Sequence, residues 1–77
     1  MDIREVFAAN LRRQRHAKGL SQEALAIEAD VNRTYLSKLE KASSYAGLEI
    51  IEKLAIVLEI EPAELLRPLP RGTKRRD

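Results

Sequence analysis

One segment of the sequence presents basic and hydroxyl side chains at a spacing that could bind a polyanion. With a rotation of about 100° per residue, as in an α-helix, Leu36 and Leu39 share one side of the segment that begins at Arg33. The opposite side carries the polar residues Arg33, Thr34, Ser37, Lys38 and Lys41. It contains no carboxylate, although 34% of all residues are charged. A solvated helix face would more often mix Glu with Lys, so this side favours contact with a polyanion.

These side chains have the hydrogen-bonding groups that reading double-stranded DNA requires. Arg33 can bond guanine O6 and N7 together, and Thr34 can meet a phosphate or a thymine methyl group. Ser37 can bond several base edges, and Lys38 can bond a phosphate or guanine. Gln22, at the start of the helix predicted before this segment, could hold a backbone phosphate together with the N-terminus of that same helix. From the pattern alone, an ordinary solvated helix face is the alternative.

Three predicted helices position this face. Helix 1 is predicted over residues 2–18, where apolar residues fall at helical spacing. Ser21 is a suitable N-cap for a short helix 2 to about residue 29, and Asn32 is a suitable N-cap for a helix 3 to about residue 41. Two short helices joined by a tight turn are typical of a helix-turn-helix, although an ordinary helical bundle would also fit this pattern.

A second group of elements follows a loop predicted over residues 42–47. Helix 4 is predicted over residues 48–58, with a core-facing stripe formed by Leu48, Ile51, Leu54, Ala55 and Leu58. Ile50 and Val57 lie outside this stripe and widen the apolar surface, so part of helix 4 is expected to face a partner. Pro62 is favoured at the first position of a helix, which predicts a brief helix 5 over residues 62–67. The predicted fold class is therefore all-α with five helices.

Length, charge and composition limit the possible functions. The 77 residues are enough for one domain, predicted over residues 1–67. The net charge is +2 over residues 1–41, −4 over residues 42–66 and +4 over residues 67–77. The basic end, residues 68–77, is predicted to be a disordered tail that keeps the protein soluble or adds nonspecific phosphate contacts.

Several classes of site are not expected. There is no cysteine and a single histidine, His16, so neither a disulfide framework nor a metal site is predicted, and no cofactor is required. No apolar run approaches the length of a membrane span and no signal peptide pattern is present, which makes the cytoplasm the expected location. No small-molecule effector site is evident. Carboxylate pairs such as Glu49/Glu52 lack a nucleophile or a glycine-rich phosphate loop, so the chain is not expected to be an enzyme.

The sequence resembles the lambda-repressor-like helix-turn-helix family of xenobiotic-response-element type. The resemblance is carried by GLSQEALA at residues 19–26, VNRTYLSKLE at residues 31–40 and IEKLA at residues 51–55. It covers about residues 5–66. Within the family the sequence looks most like small single-domain regulators, including restriction–modification controller proteins, because Arg33-Thr34-Tyr35 and the following Leu36-Ser37 are similar.

The resemblance implies a transcriptional regulator that binds a two-fold symmetric DNA operator as a homodimer, with helix 3 in the major groove. It assigns contacts with the bases to Arg33, Thr34, Ser37 and Lys38. It assigns contacts with the DNA backbone to Gln22, Tyr35, Lys41, Ser43 and Ser44. Tyr35 could equally be a half-buried packing residue with its hydroxyl outward. The resemblance further implies that Arg15 and Glu40 form a structural ion pair.

The sequence departs from the resembled family at several loop positions. Asp30 and Ala42 stand where glycine is frequent, and Gly47 stands where a Ser or Thr would cap helix 4. Ser44-Tyr45 replaces the Arg-Asn often seen in controller proteins. These differences concern the path of the loops and leave the helix 3 face unchanged.

The acidic half of the chain would be a poor surface for DNA. Its apolar residues Ile50, Val57 and Leu66 are therefore predicted to form the homodimer interface. The main alternative is an antitoxin or adaptor module whose principal ligand is another protein. Replacing Arg33 would separate these two hypotheses, because only DNA binding depends on its guanidinium.

Overall fold

A computed structural model describes residues 2–68 as a bundle of helices with no β-strand among these residues. The four α-helices are α1 (Ile3–Ala17), α2 (Gln22–Ala29), α3 (Arg33–Glu40) and α4 (Leu48–Leu58). A 3₁₀ turn over Pro62–Leu65 follows them. The predicted all-α class and the helix-turn-helix formed by α2 and α3 are confirmed. Apart from Pro68, the predicted basic tail lies outside the described residues.

The predicted fifth α-helix is wrong in type and in length. Residues 62–65 form a single 3₁₀ turn, with i to i+3 hydrogen bonds from Glu64 N to Glu61 O at 2.9 Å and from Leu66 N to Ala63 O at 3.0 Å. Four residues are too few to form the longer i to i+4 bonding pattern on their own. Pro68 also disfavours helical backbone at the residue before it, so the turn cannot continue to Arg67.

Each of the first three helices follows a residue whose side chain caps it, and two of these caps, Ser21 and Asn32, agree with the sequence prediction. The side chain of Asp2 accepts a hydrogen bond from Arg4 N at 2.9 Å, Ser21 accepts from Ala24 N and Asn32 accepts from Tyr35 N, both at 3.0 Å. Gly47, which precedes α4, has no side chain to form such a bond. Each of the three caps satisfies a backbone N–H that has no partner inside its helix.

All four α-helices end in the same motif. A residue with left-handed backbone follows each helix, namely Gly19, Asp30, Ala42 and Glu59, with φ between 57° and 73°. In each case this residue and the next donate backbone hydrogen bonds of 2.9–3.2 Å to carbonyls in the last turn. This is the Schellman arrangement, which glycine adopts most easily because it has no Cβ. Asp30 and Ala42 therefore occupy glycine-like backbone where the resembled family often has glycine.

The core is aliphatic and joins all the elements. α1 packs on α3, α2 packs on α3 and α4, and the 3₁₀ turn lies between α1 and α4. The side chains without solvent exposure are mainly leucines: Leu11, Leu25, Leu36, Leu39, Leu54 and Leu65. The predicted α4 stripe is confirmed at Ile51, Leu54, Ala55 and Leu58 but is wrong at Leu48, which is 84% exposed. Leu48 is the first residue of α4, and its Cβ points towards the helix N-terminus, past the edge of the core.

A buried asparagine that the sequence analysis did not identify ties the end of the described chain to α1. Asn10 has no solvent exposure, and its Nδ2 donates to the carbonyl of Leu65 at 3.1 Å and to that of Arg67 at 2.9 Å. Its Oδ1 accepts from Arg13 Nη2 at 2.7 Å. Because these hydrogen bonds cross 55 and 57 residues, no local sequence pattern signals them.

Candidate nucleic-acid interface

The polar face of α3 borders a shallow open groove. Its lining residues are Gln22, Arg33, Thr34, Ser37, Lys38 and Lys41. Arg33, Thr34, Lys38 and Lys41 are exposed, and Ser37 is half-buried. No carboxylate lines the groove, so the structure brings together the predicted base-contacting residues and two of the predicted backbone-contacting residues. We call this surface the α3 face.

The opposite side of α3 is anchored in the core. Leu36 and Leu39 have no solvent exposure, and Tyr35 packs partly buried against the same cluster. The Asn32 cap fixes the start of the helix, and the Schellman motif at Ala42 fixes its end. A helix of eight residues is marginal by itself, so this burial and capping hold the α3 face in a defined orientation.

A buried ion pair joins the helices around the α3 face. Arg15 Nε and Nη2 donate to the two carboxylate oxygens of Glu40 at 2.7 and 3.0 Å, and Arg15 Nη1 donates to Leu20 O at 2.9 Å. The two side chains are 11% and 3% exposed. The guanidinium of Arg12 also donates to the backbone carbonyl of Glu40. The structure thus places Arg15 and Glu40 in a paired arrangement that connects α1 with the end of α3.

Gln22 completes this network from α2. Its Nε2 donates to Glu40 Oε1 at 3.0 Å, and the side chain also lines the groove of the α3 face. An amide nitrogen carries two protons, so one donor is left after the bond to Glu40. Gln22 is consequently held by Glu40, with one amide N–H left over beside the groove.

The structure turns the Tyr35 hydroxyl towards the protein. Tyr35 is half-buried, and its hydroxyl donates to the backbone carbonyl of Tyr45 at 2.6 Å. A phenol has a single proton, so this bond uses the group that a phosphate contact would require. The sequence reading of Tyr35 as a packing residue matches its position, except that its hydroxyl bonds the loop and not solvent.

The two predicted serines of the loop occupy different places. Ser43 is exposed beside the end of α3, where its Oγ donates to Lys38 O at 3.1 Å. Ser44 is half-buried and lines a separate groove with Ile3, Phe7 and Tyr45, among others. The side chain of Ser44 is therefore not part of the groove along the α3 face.

The predicted dimer residues lie on α4 and just after the 3₁₀ turn, and none of them lines the groove of the α3 face. Ile50 and Val57 are half-buried against the core, and Leu66 is 38% exposed. Ile56 is 69% exposed, although the sequence analysis did not single it out. Its neighbours Glu49 and Glu52 are also exposed, which gives this side of α4 an acidic surface.

The carboxyl groups whose pKa is shifted lie in exposed ion pairs outside the α3 face. The side-chain hydrogen bond from Arg4 lowers the pKa of Asp2 below its ordinary value of 3.8. The hydrogen bond from Lys18 lowers the pKa of Glu59 in the same way. These pairs fasten helix ends and contain no group arranged as a catalytic acid or base.

Two further classes of site find no support in residues 2–68. None of the helices described there is both long and apolar enough to cross a membrane. Within the same residues, acidic and histidine side chains do not cluster as a set that could bind a metal ion.

Comparison with known proteins agrees with this geometry. Residues 6–69 match the model of a family described as a helix-turn-helix domain. The chain is 39% identical over 66 residues to the control protein C.BamHI of Bacillus amyloliquefaciens, covering 84% of this chain and 82% of that protein.

Two solved structures have the same fold. One is the restriction-modification controller protein C.AhdI from Aeromonas hydrophila, at 44% identity and a TM-score of 0.78, covering 80% of this chain and 94% of that one. The other is a hypothetical transcription factor from Neisseria, at 41% identity and a TM-score of 0.85, covering 91% of this chain and 79% of that one. These relatives are named as regulators and not as enzymes, in agreement with the sequence prediction.

Proposed function

Because the chain belongs to the helix-turn-helix domain family, we propose that it is a sequence-specific regulator of transcription whose α3 enters the major groove of DNA. The observation that carries this proposal is the α3 face itself. It is exposed, free of carboxylates and held by a helix whose other side is buried at Leu36 and Leu39. Similarity to C.BamHI and C.AhdI supports a controller-like role.

The proposed contacts with the bases come from four residues of α3. Arg33 lies in the first turn, where it can bond guanine O6 and N7 together. Thr34 and Ser37 supply hydroxyls on the same face, and Lys38 extends it towards the end of the helix. The N-terminal residues of a recognition helix are those that approach the base edges most closely.

The proposed contacts with the DNA backbone flank these residues. Gln22 donates from the start of α2 while Glu40 holds its amide, and Lys41 lies immediately after α3. On the loop that follows, Ser43 is exposed beside the end of α3. Such contacts position α3 without reading the sequence of the bases.

The protein is further proposed to act as a homodimer. Residues 42–66 carry a net charge of −4, so this half is repelled by DNA and is free for another partner. Ile50, Val57 and Leu66 would contribute apolar area to the contact between two copies. Two α3 helices about 34 Å apart would then meet successive major grooves on one side of the duplex.

Selection of bound oligonucleotides from a random pool tests the proposal directly. The expected result is a palindromic site, and Arg33→Ala should weaken binding to that site by about 1–3 kcal/mol. Lys53→Ala on α4 is the matched control, because it removes a positive charge outside the α3 face. Uniform retention of all sequences, falling steeply with salt, would show charge attraction without sequence reading.

The same variants separate DNA binding from an antitoxin or adaptor function. If another protein is the principal ligand, Arg33→Ala should be tolerated. Polar substitutions at Ile50 or Val57 should then abolish pairing with that protein, provided that circular dichroism shows the helices intact. If Arg33→Ala loses operator binding while the fold is unchanged, DNA is the principal ligand.

A further inference from the structure

We infer that Tyr35 supports DNA binding by positioning the loop after α3, and not by contacting DNA itself. The inference rests on the proposed function, because it assigns a role within the same interface. It concerns residues 42–47, which we call the α3–α4 loop. Tyr35, Tyr45 and Arg4 together hold this loop between α3 and the start of α1.

The first part of the α3–α4 loop is fixed to the end of α3. Ala42 N donates to Leu39 O at 3.2 Å, and Ser43 N donates to Lys38 O at 3.0 Å. Ser43 Oγ donates to the same Lys38 carbonyl at 3.1 Å. The loop therefore leaves α3 beside Lys38 and Lys41, at one edge of the α3 face.

The middle of the loop has no such support from its backbone. Among residues 2–68, no backbone–backbone hydrogen bond involves Ser44, Tyr45 or Ala46. The Tyr35 hydroxyl supplies the missing connection by donating to Tyr45 O at 2.6 Å. Tyr35 belongs to the first turn of α3, so its side chain connects the middle of the loop to the beginning of the helix that precedes the loop.

The ring of Tyr45 is held from the other side. The Arg4 guanidinium lies 4.9 Å from the ring centroid, within the range of a cation–π interaction. Arg4 is itself fixed by Asp2, with Nη2 3.2 Å from Oδ2. Tyr45 is thus held through its carbonyl by α3 and through its ring by the first turn of α1.

This arrangement leaves backbone donors of the loop available to DNA. The N–H groups of Ser44 and Tyr45 have no acceptor among the described residues. In the proposed complex, the ordered loop offers these donors to a phosphate of the bound strand next to the end of α3. Tyr35→Phe would leave the carbonyl of Tyr45 unpaired and release the segment that carries both donors.

Tyr35→Phe in the full chain tests this role, with Tyr45→Phe as the matched control. The control removes a hydroxyl from a neighbouring tyrosine but keeps the ring and carbonyl that the arrangement uses. Tyr35→Phe should raise the Kd for the selected operator about five- to tenfold, while Tyr45→Phe should leave it unchanged. Backbone ¹⁵N relaxation of the free protein should show larger motions of residues 44–46 in Tyr35→Phe alone.

A double-variant cycle distinguishes positioning from direct contact. Arg4→Met releases Tyr45 from its other side, so Tyr35→Phe and Arg4→Met should together weaken binding by less than the product of their separate effects. If the fold-change in Kd of the double variant equals the product of the two single fold-changes, and Tyr35→Phe leaves the loop motions unchanged, the Tyr35 hydroxyl contacts the phosphate directly. That result would overturn the inference. An unchanged Kd for Tyr35→Phe would also overturn it. Arg33→Ala, measured in parallel, reports separately on the proposed function.

Discussion

Arg15 and Glu40 meet as a parallel fork, with guanidinium nitrogens 2.7 and 3.0 Å from the two carboxylate oxygens, and both side chains are almost fully buried. Arg15 Nη1 also donates to Leu20 O, and Glu40 Oε1 accepts a second hydrogen bond from Gln22 Nε2. Such a pair is costly to break, because removing one partner leaves the other charge buried without compensation. Its position makes it the connection between α1, α2 and the end of α3.

Replacing one partner of this fork should therefore destabilise the fold strongly. We expect Arg15→Ala to lower the free energy of unfolding by about 3 kcal/mol, measured by urea denaturation. Lys18→Ala, which breaks the exposed pair with Glu59, should have little effect. Equal losses for the two variants would contradict the structural role of the fork. The double variant Arg15→Met/Glu40→Leu should recover much of the loss, since no unpaired charge then stays buried.

Ala42 has left-handed backbone with φ of 61°, which costs energy for any residue that has a Cβ. Ala42→Gly should remove this strain and stabilise the protein by about 1 kcal/mol in thermal or urea unfolding. Ala9→Gly, within α1, is the control and should destabilise by about the same amount. If both substitutions destabilised the protein, the Schellman ending of α3 would not be present in solution.

The free energy of unfolding at acid pH should depend on the charge of Asp2. Its pKa is lowered in the folded state by the bonds from Arg4, so the stabilisation is complete above the unfolded pKa and is lost as pH falls through the folded pKa. Asp2→Asn keeps an N-cap but removes the charge. The variant should be less stable than the wild type at neutral pH, and the difference should vanish in strong acid. A difference that persisted undiminished in strong acid would exclude the ion pair as its cause.

Binding to the selected operator should show which charges meet phosphates. Lys41→Ala should reduce the slope of log K against log salt concentration by about one and weaken binding to all DNA sequences alike. Lys53→Ala removes the same charge from α4 and should leave the slope unchanged. A reduced slope for both variants would indicate that the acidic half also approaches DNA.

Helix boundaries and the α3 face could be predicted because their causes are local. Asp2, Ser21 and Asn32 bond N–H groups two or three residues away, so the sequence around each of them contains both partners. The alternation of Leu36 and Leu39 with polar residues determines which side of α3 is buried whatever it packs against. The predicted fifth helix failed because a four-residue segment before Pro68 has too little local stabilisation to form an α-helix.

The sequence by itself determined the all-α class, the four helix positions and the carboxylate-free side of α3, because these depend on residues within one or two helical turns. Only the tertiary structure decided that Tyr35 bonds the loop at Tyr45, that Asn10 holds Leu65 and that Gln22 bonds Glu40. Each of these pairs joins different elements, and a hydrogen bond requires its two atoms within about 3 Å. That distance follows from how the core packs the helices together, which no local spacing of residues specifies.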